Sequence, residues 1–330
     1  MIAAAGLDWL IGDPLWSPHP VVWMGQVINR LRQGLELWAG DRPTRLRWSG
    51  GLITAILVLV SAASGWLIER FWLQSQGLLN NAAWLILVIA LASALAARSL
   101  HNSVMAVIKA LPSSGGDENL KLARERLSWI VGRDTTQLSR KEILRATAET
   151  ASENAVDGIF APLFWMLVGI VLWESGWIQS PGPLALAWGY KASSTLDSML
   201  GYKQGRLKWM GTAGARLDDV LTWLPCRLVM VTLPMISRSW WSWPSLVLAA
   251  ERDGAMDPSP NAGRSEAIYA HCTRIQLGGR NRYGETWIEK PILGADGAEA
   301  CPQSVGTILH LSGRLETLWL VTAAGCAFAF

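Results

Sequence analysis

Residues 50–68, GGLITAILVLVSAASGWLI, carry no charged side chain in nineteen positions. As a helix this run is roughly 30 Å long, the thickness of a bilayer's hydrocarbon core. It is apolar all round and has no polar stripe to turn towards water. Four further runs follow at 82–97, 159–178, 220–236 and 315–330, interrupted only by Glu174, Arg227 and Glu316. Composition agrees: 17% of residues are charged, against about 25% in soluble domains. Trp supplies 20 residues, Phe and Tyr together only nine (5 and 4). Indole rings favour the headgroup level, where an apolar body meets a polar edge. These features predict an all-α, polytopic integral membrane protein. It should have about four to six transmembrane helices plus re-entrant or interfacial helices, built as a single domain over 1–330.

Charge in the connecting segments orients the spans. The link 69–81 holds one basic residue, Arg70, whereas 30–47 holds five and 98–158 holds nine. The positive-inside rule therefore points the first hairpin outward and places 98–158 and 237–314 in the cytoplasm. A net charge of +3 gives no electrostatic footprint for nucleic acid. Cys226, Cys272, Cys301 and Cys326 form no CxxC pair and sit near no His at zinc spacing. The opening MIAAAGLDWLIGDP has no basic n-region, so a cleaved signal peptide is not expected. Segments 7–28, 182–202 and 240–250 are apolar but broken by proline or polar residues. Such backbone is tolerated at membrane depth where it is buried in protein or lines a cavity. They are expected to surround a cytoplasm-facing pocket.

Six polar segments stand out. In RATAETASENAVDG (145–158), a proline-free helix would stack Arg145, Glu149, Glu153 and Asp157 on one face, with Asn154 beside them. Stacked carboxylates repel unless a cation compensates, and magnesium takes one or two carboxylates together with substrate phosphates. In KASSTLDSMLGY (191–202), Lys191 with Ser194 and Thr195 would form a phosphate-binding face, and Asp197 would need its own partner. In ARLDDVLTWLP (215–225), Asp218 and Asp219 beside Arg216 could hold a metal or take a proton. DPSPNAGRSE (257–266) contains Asn261 and Glu266, and LGGRNRYGE (277–285) contains Gly278, Gly279 and Tyr283. Their Gly and Asn residues suit amides turned into an anion site. GDPLWSPHP places Asp13 and His19 among prolines.

Taken in order, DWLIGDPLWSPHPVVWMGQVI, ETASENAVDGIFAPLFW, YKASSTLDSMLGY, ARLDDVLTWLPCRL, SPNAGRSEAIYA and LGGRNRYG resemble the CbiB/CobD family of adenosylcobinamide-phosphate synthases over about residues 7–285. Two departures are visible: Arg264 stands where the family commonly has an aromatic residue, and Ser152-Glu153-Asn154-Ala155 where it often reads AENT. The resemblance implies an ATP-dependent ligase of the bacterial inner membrane, with its site facing the cytoplasm. That enzyme joins adenosylcobyric acid, a corrinoid, to aminopropanol phosphate or aminopropanol. ATP and Mg2+ are the implied cofactors. The implied partners are these substrates, the lipid bilayer and other membrane enzymes of cobalamin biosynthesis, with no nucleic acid.

In such a mechanism Glu149, Glu153 and Asp157 would handle metal or amine, with Asp218 and Asp219 as second candidates. Lys191 and Arg216 would meet phosphate, and Asn154 and Asn261 substrate amides. Asp13, His19, Arg145, Ser194, Thr195, Asp197, Glu266, Gly278, Gly279 and Tyr283 complete the candidate substrate-binding set. Two other readings remain open at this level: a non-catalytic membrane sensory protein resembling AmpE, and a small-molecule transporter. A transporter should show a repeat between its halves, and the sequence shows none.

Overall fold

The computed structural model describes residues 1–12, 19–112, 119–202, 204–237, 240–283 and 286–329. The chain is helical almost throughout. In order run α1 (Ile2–Ile11), α2 (Pro20–Ala39), α3 (Pro43–Gln74), α4 (Gly77–Ala92), α5 (Ala97–Lys109), α6 (Lys121–Ser128), α7 (Arg140–Ala155) and α8 (Ala161–Glu174). Then come α9 (Pro183–Leu200), α10 (Leu207–Met210), α11 (Thr212–Ser237), α12 (Trp243–Gly254) and α13 (Ala262–Thr273). An antiparallel hairpin, β1 (Leu277–Tyr283) and β2 (Thr286–Leu293), precedes α14 (Pro302–Ala329). Four helical stretches among the described residues are long and apolar enough to cross a membrane: Pro43–Gln74, Gly77–Lys109, Arg140–Glu174 and Thr212–Ser237. They contain the first, second and fourth apolar runs and most of the third, which continues past Glu174. The closing run lies on α14, where Arg314 and Glu316 keep it outside this set. The polytopic all-α reading therefore holds, with four spans by length and composition.

The chain divides into two compact units, 1–96 with 157–222 and 97–156 with 223–330. In the first, α9 packs against α2, α3, α4 and α8. Segment 182–202 is thus a regular buried helix rather than a broken one. Its close seat on α3 depends on Gly65, where an added Cβ would lie 2.8 Å from the Ala185 Cα. One turn further along α3, the buried Glu69 accepts the amide N–H groups of Gly182 (3.0 Å), Leu184 (2.6 Å) and Ala185 (3.2 Å). Those N–H groups have no partner inside α9, so a carboxylate from another helix does the work of an N-cap. Arg70 adds bonds to the Gln179 side chain (2.6 Å) and the Ile178 carbonyl.

Pro225 sits inside α11 and has no N–H to offer the Leu221 carbonyl one turn before. The Trp165 indole N–H donates to that carbonyl at 3.2 Å. Further back, the π-helical turn Val156–Phe160 leads into α8. The stacked-carboxylate reading assumed an unbroken α-helix, and Asp157 instead lies in this turn.

In the second unit α7 is the central helix, touching α5, α6, α13, α14 and β1. A capping box, Ser139 with Glu142, starts it. Ala146, Ala148, Ala151 and Ala155 are fully buried, and their small side chains let neighbours close in on several sides. The hydroxyls of Thr147 and Ser152 donate to the carbonyls one turn back (2.6 and 2.8 Å), so no polar group of theirs is wasted in the core.

Candidate active site

The second unit buries a charge cluster along α7. Arg145, Glu149 and Glu153 recur every four residues and face α13 and the hairpin. Glu149 is buried and already committed. Arg133, from the loop before α7, donates to its Oε2; the Gly278 amide N–H donates to Oε1 at 2.9 Å; Arg145 lies 3.9 Å away. Gly278 can do this because its φ is +82°, and a Cβ there would sit 1.9 Å from the Pro291 carbonyl oxygen. The amide expected to meet an external anion thus meets the protein's own carboxylate. Arg145 donates to the carbonyls of Gly278 and Arg280 and shares the Asn281 Oδ1 with Arg133 (2.9 and 2.7 Å). The amide nitrogen of Asn281 is buried without a partner.

Next to this neutralised group lies a second group with surplus negative charge. Lys290, opposite Gly279 in the hairpin register, donates to Glu266 Oε1 at 3.1 Å and lies 3.7 Å from Asp257 Oδ2. Glu153 shares the same field. Three carboxylates therefore face one ammonium. Burial alone would depress the lysine, but Glu266, Glu153, Asp257 and Glu149 outweigh it and hold Nζ protonated well above its usual range. Burial pushes the Glu266 carboxyl up to about 8, helped by Glu149 and Glu153 and partly offset by Lys290. Its Oε2 is buried with no partner. Glu153 and Asn154 are only half-buried. Glu153 and Lys290 are thus the members of the cluster that keep some contact with solvent.

The first unit gathers a different set. The buried Tyr190 hydroxyl lies 3.1 Å from Thr222 Oγ1 and also bonds Ser194; Asp157 and Asp218 face it. Burial, reinforced by those two carboxylates, raises the phenol well above its usual range.

A family model described as CobD/Cbib protein matches residues 1–312. The chain belongs to the CobD/CbiB family. It is 43% identical over 320 residues to the cobalamin biosynthesis protein CobD of Synechocystis sp., covering 96% of this chain and 87% of that one. It is 36% identical to the CobD protein of Yersinia enterocolitica, covering 96% and 94% of the two chains. Against the cobalamin biosynthesis protein CbiB of Salmonella typhi it is 37% identical, covering 98% and 96%. No solved structure matches.

The remaining candidate residues of this CobD/CbiB chain are placed as follows. His19 is the N-cap of α2, its Nδ1 accepting the Val21 N–H at 3.3 Å. Thr195 donates its hydroxyl to the Lys191 carbonyl at 2.7 Å; Lys191 and Asp197 are half-buried on the same helix. Asp219 is half-buried on α11, and Arg216 is exposed there. Asn261 is buried, its Oδ1 taken by Arg227 at 2.6 Å. Gly279, with φ +90°, lies beside the Arg145 guanidinium. Asp13 lies outside the described residues, as does the side chain of Tyr283 at the end of β1.

Among the described residues no group of three His, Cys, Asp or Glu side chains is arranged to hold a metal ion. Glu149 is occupied by Arg133 and the Gly278 amide. What remains for a divalent cation is the half-exposed Glu153 and the unpartnered Glu266 Oε2. One or two carboxylates completed by substrate phosphates is the set magnesium ordinarily uses, so these residues fit it.

Lys290, Asp257, Arg133 and Asn281 were not singled out from sequence. Asp257 and Asn281 lie inside quoted motifs, whereas Arg133 is in an unremarkable loop. Lys290 is marked only by the hairpin register, which pairs it with Gly279.

Proposed function

We propose that this CobD/CbiB protein acts in cobalamin biosynthesis as the synthase that joins adenosylcobyric acid to aminopropanol phosphate, or to aminopropanol, giving adenosylcobinamide phosphate or its unphosphorylated counterpart. The supporting observation is the cluster of Glu153, Asp257, Glu266 and Lys290, which has more carboxylates than cations and in which Glu153 and Lys290 are partly exposed. In this reading the membrane is the bacterial inner membrane, the site faces the cytoplasm, and the corrinoid is shared with other membrane enzymes of the pathway. ATP with magnesium supplies the activation of the corrinoid carboxylate, which is a poor acyl electrophile at neutral pH. Glu153 would hold the metal beside the phosphates of ATP, and Glu266 is left to act on the amine.

The protein's own task is the amine. A primary amine arrives as an ammonium and attacks only after losing a proton. Glu153, reachable from solvent, pairs with the ammonium. A base works best with a pKa close to the working pH, and the Glu266 carboxyl at about 8 meets that requirement. Lys290 holds one Glu266 oxygen, leaving Oε2 as the proton acceptor. Asn154, beside Glu153 on α7, is the proposed contact for corrinoid amides.

The test is purified protein in detergent with ATP, magnesium, adenosylcobyric acid and each amine, read by mass spectrometry. An amide product that requires ATP is expected. Glu153→Gln should lower turnover roughly 10- to 100-fold while the protein stays folded in the membrane fraction, the cost of a lost hydrogen bond to a charged group. Absence of amide product from the unaltered protein, or near-normal turnover in the variant, would overturn the reading.

A further inference from the structure

Where α2 gives way to α3, the first unit carries five cations, Arg42, Arg45, Arg47, Arg206 and Lys208, against one carboxylate, Asp41. Asp41 is taken by Arg206 at 2.8 Å. The next carboxylate back, Glu36, is bound by Arg32 at 2.7 Å. Arg47 and Lys208 come from different helices, yet both lean on the Trp209 ring, with their charges 4.4 and 5.1 Å from its centroid. Arg45 lies over Trp38 at 5.2 Å and donates to the Trp38 carbonyl at 3.5 Å. Two like charges drawn to one ring repel one another, and neither has a carboxylate partner among the described residues.

The surroundings say which anion fits. Leu37, Trp38 and Trp48 are apolar and mostly exposed, Trp48 at 79%. They sit directly before the uncharged run at 50–68 of the spanning helix. Bare indoles and leucine beside unpaired arginines suit the headgroup level of a bilayer, with acyl chain on one side and phosphate on the other. A free phosphate would use the cations and leave the apolar collar in water. We propose that this collar is a binding site for an anionic phospholipid, whose headgroup phosphate is shared by Arg47 and Lys208 beside Trp209. Its acyl chains lie along the start of α3.

The experiment is native mass spectrometry of the full chain in detergent, titrated with phosphatidylglycerol and, separately, phosphatidylcholine. Preferential retention of phosphatidylglycerol is expected. A cation near an anionic lipid surface contributes roughly a factor of five in affinity, so Arg47→Gln with Lys208→Gln should weaken that retention about 30-fold. Both residues are exposed, and the exchange Arg47→Lys with Lys208→Arg, which keeps both charges, should bind as the unaltered chain does. Arg126→Gln, which removes a similar arginine–tryptophan contact on α6, should change nothing. Equal retention of the two lipids, or undiminished binding by the double Gln variant, would overturn the proposal. So would displacement of the lipid by millimolar inorganic phosphate, which would make this a free-anion site.

Discussion

Lys290 Nζ lies 3.1 Å from one oxygen of Glu266, and the other oxygen of that carboxylate has no partner. The pair is unequal by construction: Glu266 is buried to 1%, whereas the lysine side chain keeps 21% of its surface. Removing the cation alone leaves Glu266, Asp257 and Glu153 facing one another. Lys290→Met is expected to destabilise the protein by about 3–5 kcal/mol, the usual scale for breaking a buried pair from one side. Adding Glu266→Gln should recover a good part of that loss. Denaturant titration of the two single variants and the double variant gives the coupling energy. Additive losses would mean that the two groups do not form a pair.

The unusual state of Glu266 also sets a pH dependence. An ordinary glutamate in the unfolded chain titrates near 4.3, while the folded value is about 8. Between those values the folded protein holds a proton that the unfolded chain has lost. Stability is therefore fully present below about pH 4, falls as pH rises towards 8, and is level above that. The whole change is on the order of a few kcal/mol. Tm should drop from pH 5.5 to pH 8.5, and Glu266→Gln should flatten most of that slope. A variant with an unchanged slope would assign the dependence to another group.

Much of this was legible in the sequence because hydrophobic length is a local property. The runs at 50–68 and 220–236 each lie within one long helix, those at 82–97 and 159–178 supply α4 and α8, and Glu149, Glu153 and Arg145 share a face as their spacing required. What spacing could not carry was the partner. Glu149 reads as a free metal ligand until Arg133, from the loop before α7, and the Gly278 amide, 129 residues further along the chain, are brought to it. The i,i+4 argument failed at Asp157 because a π turn replaces the α-helix there. Lys290 sits in a strand with no motif around it, and only the pairing with β1 delivers it to Glu266. His19 in its proline setting suggested chemistry, yet its ring nitrogen caps α2.

Gly278 supplies a further test. Its φ of +82° is in the region that favours glycine, and a Cβ would strike the Pro291 carbonyl. Gly278→Ala is expected to cost about 2–4 kcal/mol, combining backbone strain with a lost amide bond to a buried carboxylate. Hydrogen exchange should show faster opening of the hairpin than of α3. Unchanged protection at 277–283 would mean that the strand tolerates the side chain and that the glycine has another purpose.

Trp165 and Pro225 make a pair whose members act on one carbonyl. Trp165→Phe keeps an aromatic body but leaves the Leu221 oxygen without a donor, because the proline one turn on has none to give. A loss of about 1–2 kcal/mol is expected for an orphaned, partly buried acceptor. Pro225→Ala restores an N–H at the position where an α-helix would supply one. In that background Trp165→Phe should cost less than half as much, the remainder being the smaller ring's lost contact area. Equal costs of Trp165→Phe in the two backgrounds would show that the indole N–H is not compensating for the proline, and the tryptophan would then matter only for its bulk.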